Sequence, residues 1–390
     1  MHETEAIPCA IYRGGTSRGV FFRTNDLPFD SGIRSQILLS VFGSPDVRQI
    51  DGLGGATSPT SKTMLVGPTR AEGADVEMLF GQVSITAPLV DWGGTCGNLT
   101  AAVAAFAVDH GLVAAVEPTT EVRIFSINTG KRIVARVPVR HGRALSQGDY
   151  ETPGVPGTAA RIDLEYVDPA GSYSGRLLPT GKPSEAIELE DGRQFSVSIV
   201  DAANPVVFCD ARELSLRGTE LPAELEARRD VMATLEAIRC VAAERLGIVA
   251  DRQLATIKSP GLPKIGFVAE PAPYATLSGE QLIASRIDLV GRLMSMQTAH
   301  RAYMGTGAVC TAAAAMIDGT VVRKVAVNSK GELDLVRIGH PYGVMDVQVR
   351  TERRNGETAI LSATIGRTAR RIMEGVVFVP KERFTAPTAA

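Results

Sequence analysis

A polar, glycine-rich segment of this 390-residue chain ends in a lysine that is well placed to act as a base. The segment DGLGGATSPTSKT runs from Asp51 to Thr63 and puts a hydroxyl residue on each side of Lys62. Apolar residues 64–66 follow directly, which predicts that Lys62 lies at the mouth of a buried strand. Partial burial would lower the pKa of the amine, so Lys62 is a candidate general base near neutral pH.

The N-terminal part of the chain partly matches two well-known motifs but lacks a required feature of each. A phosphate-binding loop, GxxxxGK[ST], needs glycine immediately before the lysine, and Ser61 stands there. Residues 15–19 read G-T-S-R-G, the pattern of a hydrolase nucleophile elbow, but a strand-like segment follows where that elbow requires a helix. A hairpin tip that binds anions through hydroxyls and arginine is the better interpretation.

Cys96 is the second candidate for acid/base chemistry. Cysteine is often a small buried hydrophobe, and that interpretation stays open for Cys96 on the local sequence alone. Its position favours a functional role, because it lies in the turn before a predicted helix whose free N–H groups and dipole favour an anionic sulfur. The same N–H groups would bind a substrate carboxylate.

The segment that begins at Cys96 has a partner in the second half of the chain. Cys96 opens CGNLTAA and Met304 opens MGTGAVC, and in each case a glycine lies 15 positions later, Gly111 and Gly319. Each segment reads as a glycine turn followed by a helix with small residues on nearly all faces, which is typical of a helix surrounded by other elements. The match predicts a duplicated unit.

Most of the remaining chain has strand character, separated by turn signals such as Asn128–Gly130. An amphipathic helix is predicted over about Pro222–Leu246, and a Gly/Ser/Pro-rich loop over Gly171–Lys182. The predicted fold is therefore α+β and rich in hairpins. The predicted strands are 10–12, 19–22, 76–79, 83–85, 122–127, 133–139, 195–200, 206–208, 344–349 and 359–363.

Composition excludes several classes of function. The 41 basic and 43 acidic residues are spread along the chain, which makes nucleic acid an unlikely partner. No apolar stretch is long enough to span a bilayer and no leader is visible, so a soluble cytoplasmic protein is expected. The five cysteines form no CxxC pair and the histidines lack metal-ligand spacing, so free thiols and no metal are expected. No GxGxxG follows a strand, and no cofactor is expected.

Six ordered segments together resemble the PrpF-type isomerases, relatives of diaminopimelate epimerase that include methylaconitate isomerase, methylitaconate delta-isomerase and 4-oxalomesaconate tautomerase. The resemblance covers nearly the whole chain. Its segments are IPCAIYRGGTSRGVFF (7–22), DGLGGATSPTSKTMLVG (51–67), DWGGTCGNLTAAV (91–103), DAANPVVF (201–208), SPGLPKIGFV (259–268) and SMQTAHRAYMGTGAVCTA (295–312).

The resemblance implies two pseudo-symmetric domains, each a β-sheet barrel wrapped around a central helix, with the active site where both helix N-termini point. We expect an N-terminal domain over 1–188, with the tail 371–390 as a candidate part of it, and a C-terminal domain over 189–370. The oligomeric state is left open, with a homodimer as one option.

The family's acid/base lysine and cysteine fall on Lys62 and Cys96. The implied reaction is a cofactor-independent allylic isomerisation, a 1,3-proton shift that moves a C=C bond in an unsaturated di- or tricarboxylate such as methylaconitate, aconitate or 4-oxalomesaconate. A proline- or diaminopimelate-type racemase or epimerase is the alternative, and Met304 argues against it because it stands where a second thiol would be needed. The expected substrate-binding residues are Thr16, Ser17, Arg18, Ser61, Gly97, Asn98, His300, Gly305, Thr306 and Gly307.

Overall fold

The computed structural model describes residues 3–327, 334–354 and 356–385. It is an α+β structure, as predicted, with long antiparallel hairpins and two almost fully buried helices. Its α-helices are α1 (Ser31–Phe42), α2 (Gly97–Asp109), α3 (Pro222–Ala227), α4 (Arg229–Arg245), α5 (Ala255–Lys258), α6 (Gly305–Ala315) and α7 (Val321–Val325).

The strands account for most of the remaining regular structure. They are β1 (Thr4–Gly14), β2 (Ser17–Arg23), β3 (Lys62–Pro68), β4 (Val76–Val83), β5 (Val90–Asp91), β6 (Thr119–Ser126), β7 (Lys131–Arg140), β8 (Arg143–Ala144), β9 (Tyr150–Glu151), β10 (Thr158–Ala159), β11 (Ile162–Val167), β12 (Glu185–Glu188), β13 (Gln194–Ala202), β14 (Asn204–Asp210), β15 (Lys264–Ala269), β16 (Tyr274–Ala275), β17 (Gln281–Leu282), β18 (Leu289–Ser295), β19 (Thr298–Ala299), β20 (Asp334–His340), β21 (Gly343–Arg354), β22 (Glu357–Arg367) and β23 (Ala369–Pro380).

The chain divides into two compact units. The described residues of unit 1 lie in Met1–Thr152, Gly157–Leu164 and Arg367–Ala390, and those of unit 2 lie in Pro153–Pro156 and Glu165–Gly366. The main division therefore falls near 165 and near 367, whereas the sequence placed it after 188 and after 370. The reason is that residues 165–188 hold contacts within unit 2, such as the hydrogen bond from the Asp168 amide to the Leu361 carbonyl.

Unit 1 wraps a mixed sheet around helix α2. Its strands pair in the order β23-β1-β2-β3-β4-β6-β7-β8, with β2–β3 and β4–β6 parallel and the other pairs antiparallel. Helix α2 packs against β1, β2, β3, β6, β7, β8 and β23, and all its residues before Asp109 are buried. The alanines of α2 let strands approach its axis on every side, which explains its lack of a polar face.

Unit 2 repeats this arrangement around helix α6. Its strands pair in the order β12-β13-β14-β15-β18-β20-β21-β22, with β14–β15 and β18–β20 parallel. Helix α6 packs against β13, β14, β20 and β21, and all its residues are buried. The two sheets thus share one succession of parallel and antiparallel pairs, and the duplication predicted from the helix segments is confirmed.

Two local predictions need correction. The helix predicted over Pro222–Leu246 is two helices, α3 and α4, because Arg228 between them has non-helical dihedral angles, φ −85° and ψ 73°. The predicted apolar face is nonetheless buried in the core of unit 2. The separate strand predicted over Val83–Ile85 is wrong, since β4 itself ends at Val83.

Candidate active site

The hairpin of β1 and β2 brings its tip onto the start of α2, within unit 1. Gly15 has φ +48°, and a Cβ at this position would collide with the side-chain oxygen of Asn98, so a larger residue does not fit. The Asn98 side-chain amide donates to Thr16 Oγ1 at 3.1 Å, and Arg367 Nε donates to Asn98 Oδ1 at 3.0 Å. Asn98 therefore ties the hairpin tip to the helix N-terminus.

Cys96 is the N-cap residue of α2 and is 8% exposed. Its sulfur lies 3.9 Å from Ser17 Oγ, and its carbonyl accepts hydrogen bonds from both the amide and the hydroxyl of Thr100, each at 3.0 Å. The N–H groups of the first helical turn have no acceptor within a helix. Cys96 thus lies at a helix start with free N–H donors, as the sequence predicted, and also beside the Ser17 hydroxyl.

Lys62 is the first residue of β3 and is 8% exposed. Its amino group donates a hydrogen bond to the side-chain oxygen of Gln82 and lies 5.2 Å from the centroid of the Phe80 ring. Burial lowers the pKa of Lys62 from its usual value, and the neighbouring Cys96 and Asp91 oppose this shift. The expected partly buried lysine is therefore present, and its neutral form is favoured by desolvation.

The loop before Lys62 is held by Gln49, a residue that the sequence did not single out. Gln49 Oε1 accepts from the Ala56 amide at 2.8 Å and from Ser61 Oγ at 2.7 Å, and its Nε2 donates to Ser44 Oγ at 2.9 Å. The fully buried Ser61 hydroxyl is thus directed toward Gln49. This network fixes the backbone that leads into β3.

Arg18 lies against the same loop. A Cβ on Gly55 would come within 2.7 Å of an Arg18 guanidinium nitrogen, so the missing side chain leaves room for this cation. Unit 1 therefore brings together most of the predicted residues of the first half. These are Thr16, Ser17 and Arg18 on the hairpin, Lys62 on β3, and Cys96, Gly97 and Asn98 at the helix start.

The start of α6 in unit 2 has the same construction with different residues. Met304 is its N-cap residue, and the Asn204 side-chain amide donates to Thr306 Oγ1 at 2.8 Å, which ties a hairpin tip to the helix. Cys310 is fully buried and donates to the Val200 carbonyl at 3.2 Å. Burial raises the pKa of Cys310, so this thiol is a packing group, as expected.

His300 lies in the segment just before α6. Its Nδ1 accepts from the Ala302 amide at 3.1 Å. His300, Arg301 and Tyr303 precede the helix, which begins at Gly305. The roles of His300, Gly305, Thr306 and Gly307 in binding a substrate stay predictions.

A second lysine, Lys264, corresponds to Lys62. Lys264 is the first residue of β15, which holds in unit 2 the place of β3, and each lysine follows a Ser-Pro segment: SPTS before Lys62 and SPGLP before Lys264. In the parallel pairs, Gly19 stands beside Lys62 and Val206 beside Lys264. Comparing the segments 58–62 and 259–264 in the sequence would have revealed this pair.

The described residues were also searched for metal-binding clusters and for membrane-spanning helices. Within residues 3–327, 334–354 and 356–385, no three His, Cys, Asp or Glu side chains cluster in a way that could hold a metal ion. Among those same residues, no helix combines the length and the apolar character needed to cross a membrane. The five cysteines are all free thiols, and four of them are buried.

Comparison with known proteins finds relatives that match nearly the full chain. The chain is 45% identical over 384 residues to 3-methylitaconate isomerase of Eubacterium barkeri, covering 98% of this chain and 100% of that protein. It is 42% identical to 2-methyl-aconitate isomerase of Shewanella oneidensis, covering 96% and 97%. It is 36% identical to 4-oxalomesaconate tautomerase of Pseudomonas putida, covering 98% of each.

Solved structures also match the fold over nearly the full chain. A crystal structure of methylitaconate-delta-isomerase superimposes with a TM-score of 0.79 at 43% identity, covering 100% of this chain and 99% of that one. A hydroxyproline epimerase from Agrobacterium vitis has a TM-score of 0.56 at 12% identity, covering 96% and 93%, and so shares the fold alone. The family model described as PrpF protein matches residues 4–380. The chain belongs to the PrpF family.

Proposed function

We propose that this PrpF-family isomerase moves a C=C bond within an unsaturated di- or tricarboxylate by a 1,3-proton shift, with Lys62 as the base. The observation that carries the proposal is the buried amine of Lys62, whose pKa is lowered, beside Cys96 at a helix N-terminus. The names of the relatives support the substrate class, because methylitaconate, methylaconitate and oxalomesaconate are unsaturated polycarboxylates.

The first step is removal of an allylic proton. Neutral Lys62 takes the proton from the carbon next to the double bond, and the electron pair left behind delocalises over the three-carbon unit into a conjugated carboxylate. The product of this step is a dienolate and a protonated Lys62. A conjugated carboxylate is needed for this, because it makes the allylic proton acidic enough for an amine to remove.

The second step is protonation at the other end of the three-carbon unit, which completes the shift. The proton comes either from the ammonium group of Lys62 or from Cys96. In the second case the ammonium group of Lys62 then returns a proton to the Cys96 thiolate, so that no net proton is gained or lost. Negative charge on the dienolate oxygens is stabilised by N–H donors, and those at Gly97 and Asn98 suit this role. Thr16, Ser17 and Arg18 bind a carboxylate and keep one allylic proton within reach of Lys62.

Unit 2 argues against the racemase alternative. A two-base racemase of this kind needs a second thiol at the other helix start, where Met304 stands, and a thioether cannot transfer a proton. Cys310 cannot serve as that second thiol, because its side chain is fully buried and donates a hydrogen bond to a backbone carbonyl. His300, Gly305, Thr306 and Gly307 are proposed to contact substrate carboxylates.

The free cysteines and the charge balance bear on where the protein works and on what it binds. Free thiols at all five cysteines are typical of a reducing compartment, which supports a cytoplasmic location. The nearly balanced charge supports a small-molecule partner rather than nucleic acid. A homodimer stays a prediction, and light scattering on the purified protein decides it.

The test is an assay of the purified protein on a panel of unsaturated di- and tricarboxylates, followed by ultraviolet absorbance and proton NMR in deuterated water. We expect exchange of an allylic proton together with a shifted double bond. Lys62→Ala should slow exchange by about 10³-fold or more, because the base is lost. Lys381→Ala, at an exposed lysine of unit 1, is the matched control and should leave exchange unchanged. Exchange that persists in Lys62→Ala removes Lys62 from the role of base.

A further inference from the structure

Gln82 lies between the candidate base and a carboxylate in unit 1. In the antiparallel pair of β3 and β4, Gln82 stands directly opposite Lys62, and in the pair of β4 and β5 it stands directly opposite Asp91. Opposite residues of antiparallel strands direct their side chains to the same face. Lys62, Gln82 and Asp91 therefore form one row across three strands, with the neutral amide in the middle.

The orientation of the Gln82 amide is fixed by its nitrogen. Nε2 donates to the Ser61 carbonyl at 2.9 Å and to the Ser58 carbonyl at 3.2 Å, and Oε1 accepts from Lys62. A flipped amide would place its oxygen against two carbonyl oxygens and lose both of the hydrogen bonds that Nε2 donates. With Gln82 only 6% exposed, such a loss would be costly.

We propose that Gln82 is a positioning residue for Lys62, whose oxygen accepts one N–H of the amine and thereby fixes the direction of the amine's lone pair toward substrate. This inference rests on the proposed function, since it gives Gln82 a role only through Lys62. A neutral amine has two N–H bonds and one lone pair, so holding one N–H restricts where the lone pair points.

The neutrality of Gln82 is as important as its hydrogen bond. The groups that face Lys62 and act to raise its pKa are Cys96 from the start of α2 and Asp91 from β5, together with the electron-rich Phe80 ring on β4. Burial outweighs them and lowers the pKa. A carboxylate in place of Gln82 would add an anion in direct contact with the amine and hold it in the protonated form.

The corresponding position in unit 2 differs. The antiparallel register Ile265↔Met294 puts Ser295 next in line opposite Lys264, where unit 1 has Gln82 opposite Lys62. A serine side chain is too short to reach the end of a lysine in the way that glutamine does. Gln82 therefore stands opposite the lysine that lies near Cys96, and a serine stands at the corresponding position of unit 2.

Two nearly isosteric variants, Gln82→Glu and Gln82→Met, test the inference. Both variants lose the Nε2 donor to the Ser58 and Ser61 carbonyls. Gln82→Glu keeps the acceptor for Lys62 and adds charge, whereas Gln82→Met removes the acceptor without adding charge. Gln348→Glu, the same chemical change at an exposed strand position of unit 2, is the matched control. Each variant is compared with the wild type in two ways: by pH titration of Lys62 with isotope-labelled lysine and NMR, and by the pH dependence of kcat and KM. The Lys62 signal is assigned with Lys62→Arg.

In Gln82→Glu we expect the pKa of Lys62 to rise by about one unit or more, and the acid limb of the rate profile to move to higher pH by the same amount. In Gln82→Met we expect that pKa to fall or stay low while kcat drops about tenfold or more, because the amine is no longer oriented. KM should change little in either variant. A merely structural Gln82 would give equal losses with an unmoved pH profile.

The outcomes separate the two proposals. If Gln82→Glu leaves the pKa of Lys62 unmoved, or if Gln82→Met keeps full kcat, the role of Gln82 is overturned while the isomerase proposal stands. If Lys62→Ala still exchanges allylic protons, the proposed function fails independently of Gln82. The NMR titration needs no substrate, so it decides whether Gln82 controls Lys62 even if every substrate in the panel is inert.

Discussion

The two units have the same arrangement of strands around α2 and α6 but differ in the residues at the helix start. In each, a hairpin tip is tied to a helix start by an asparagine side chain, Asn98 in unit 1 and Asn204 in unit 2. In each, a lysine begins the strand that runs parallel to the second hairpin strand. The helix start then differs, with Cys96 in unit 1 and Met304 in unit 2.

Under the proposed mechanism, this difference gives a duplicated fold acid/base chemistry on one side only. The asparagine ties and the strand order are what a stable helix start needs, and both units keep them. The groups proposed to move a proton, Lys62 and Cys96, lie in unit 1 together with Gln82, the proposed positioning residue. Replacing a thiol by the thioether of Met304 keeps a side chain of suitable bulk at the helix start while removing its acid/base capacity.

The largest effect that tests this contrast is at the two N-cap residues. Cys96→Ala should lower the rate of allylic exchange by about 10²-fold, because it removes a proton donor or relay beside Lys62. Met304→Leu, a change of similar volume, should stay within a few-fold of the wild type. Proton NMR in deuterated water measures both. Equal losses in the two variants would show that the helix starts contribute packing alone.

Cys96→Ser refines the same comparison. A hydroxyl can relay a proton or bind a carboxylate, so this variant should keep more activity than Cys96→Ala. Loss as complete as in the alanine variant would indicate that the thiol itself delivers the proton.

The second comparison concerns the two lysines. Lys264 is half-buried and Lys62 is 8% exposed, so Lys264 is the better suited to binding a carboxylate as a charged group. Lys264→Ala should raise KM about tenfold with a smaller change in kcat, the loss expected for one charge-assisted hydrogen bond. Initial rates over a range of substrate concentrations measure this. A loss of kcat as large as in Lys62→Ala would show instead that Lys264 takes part in the proton transfer.

The sequence predicted the parts of this framework that depend on local pattern. The helices at Gly97 and Gly305, the hairpin around Gly15 and the buried state of Cys310 all follow from glycine placement and apolar periodicity. The helix over Pro222–Leu246 was predicted with its correct buried face, but its break at Arg228 was not, because arginine carries no helix-ending signal.

Register and long-range contacts could not be predicted in this way. Gln82 reads as one polar residue at the end of an apolar run, and nothing local says that it stands opposite Lys62, twenty residues earlier. Gln49 is likewise recognisable only once the loop has folded back onto it. Such residues depend on which strands pair and in what register, which is set by tertiary packing.

The smallest expected effect concerns the cost of keeping Lys62 buried. Because burial lowers its pKa, the folded state of unit 1 carries an unfavourable buried ammonium at any pH below that folded value. Lys62→Met removes this cost but also takes away the hydrogen bond that Lys62 donates to Gln82, so the free energy of unfolding should rise by only about 0.5–1 kcal/mol at neutral pH. Trp92, the single tryptophan, is half-buried against the unit 1 core, and its fluorescence reports the unfolding of that core in urea.

The sign of the pH dependence follows from linkage. Below the folded pKa both states of the wild type are protonated and the full cost is present, so the gain from Lys62→Met is greatest there. As pH rises from the folded pKa toward the unfolded value of about 10.4, the folded state sheds its proton first and the gain shrinks. Lys264→Met, in unit 2, should leave the Trp92 transition unmoved. A gain in Lys62→Met that grew with pH would mean that the buried amine is stabilised in its charged form, and Lys62 would then be a poor base.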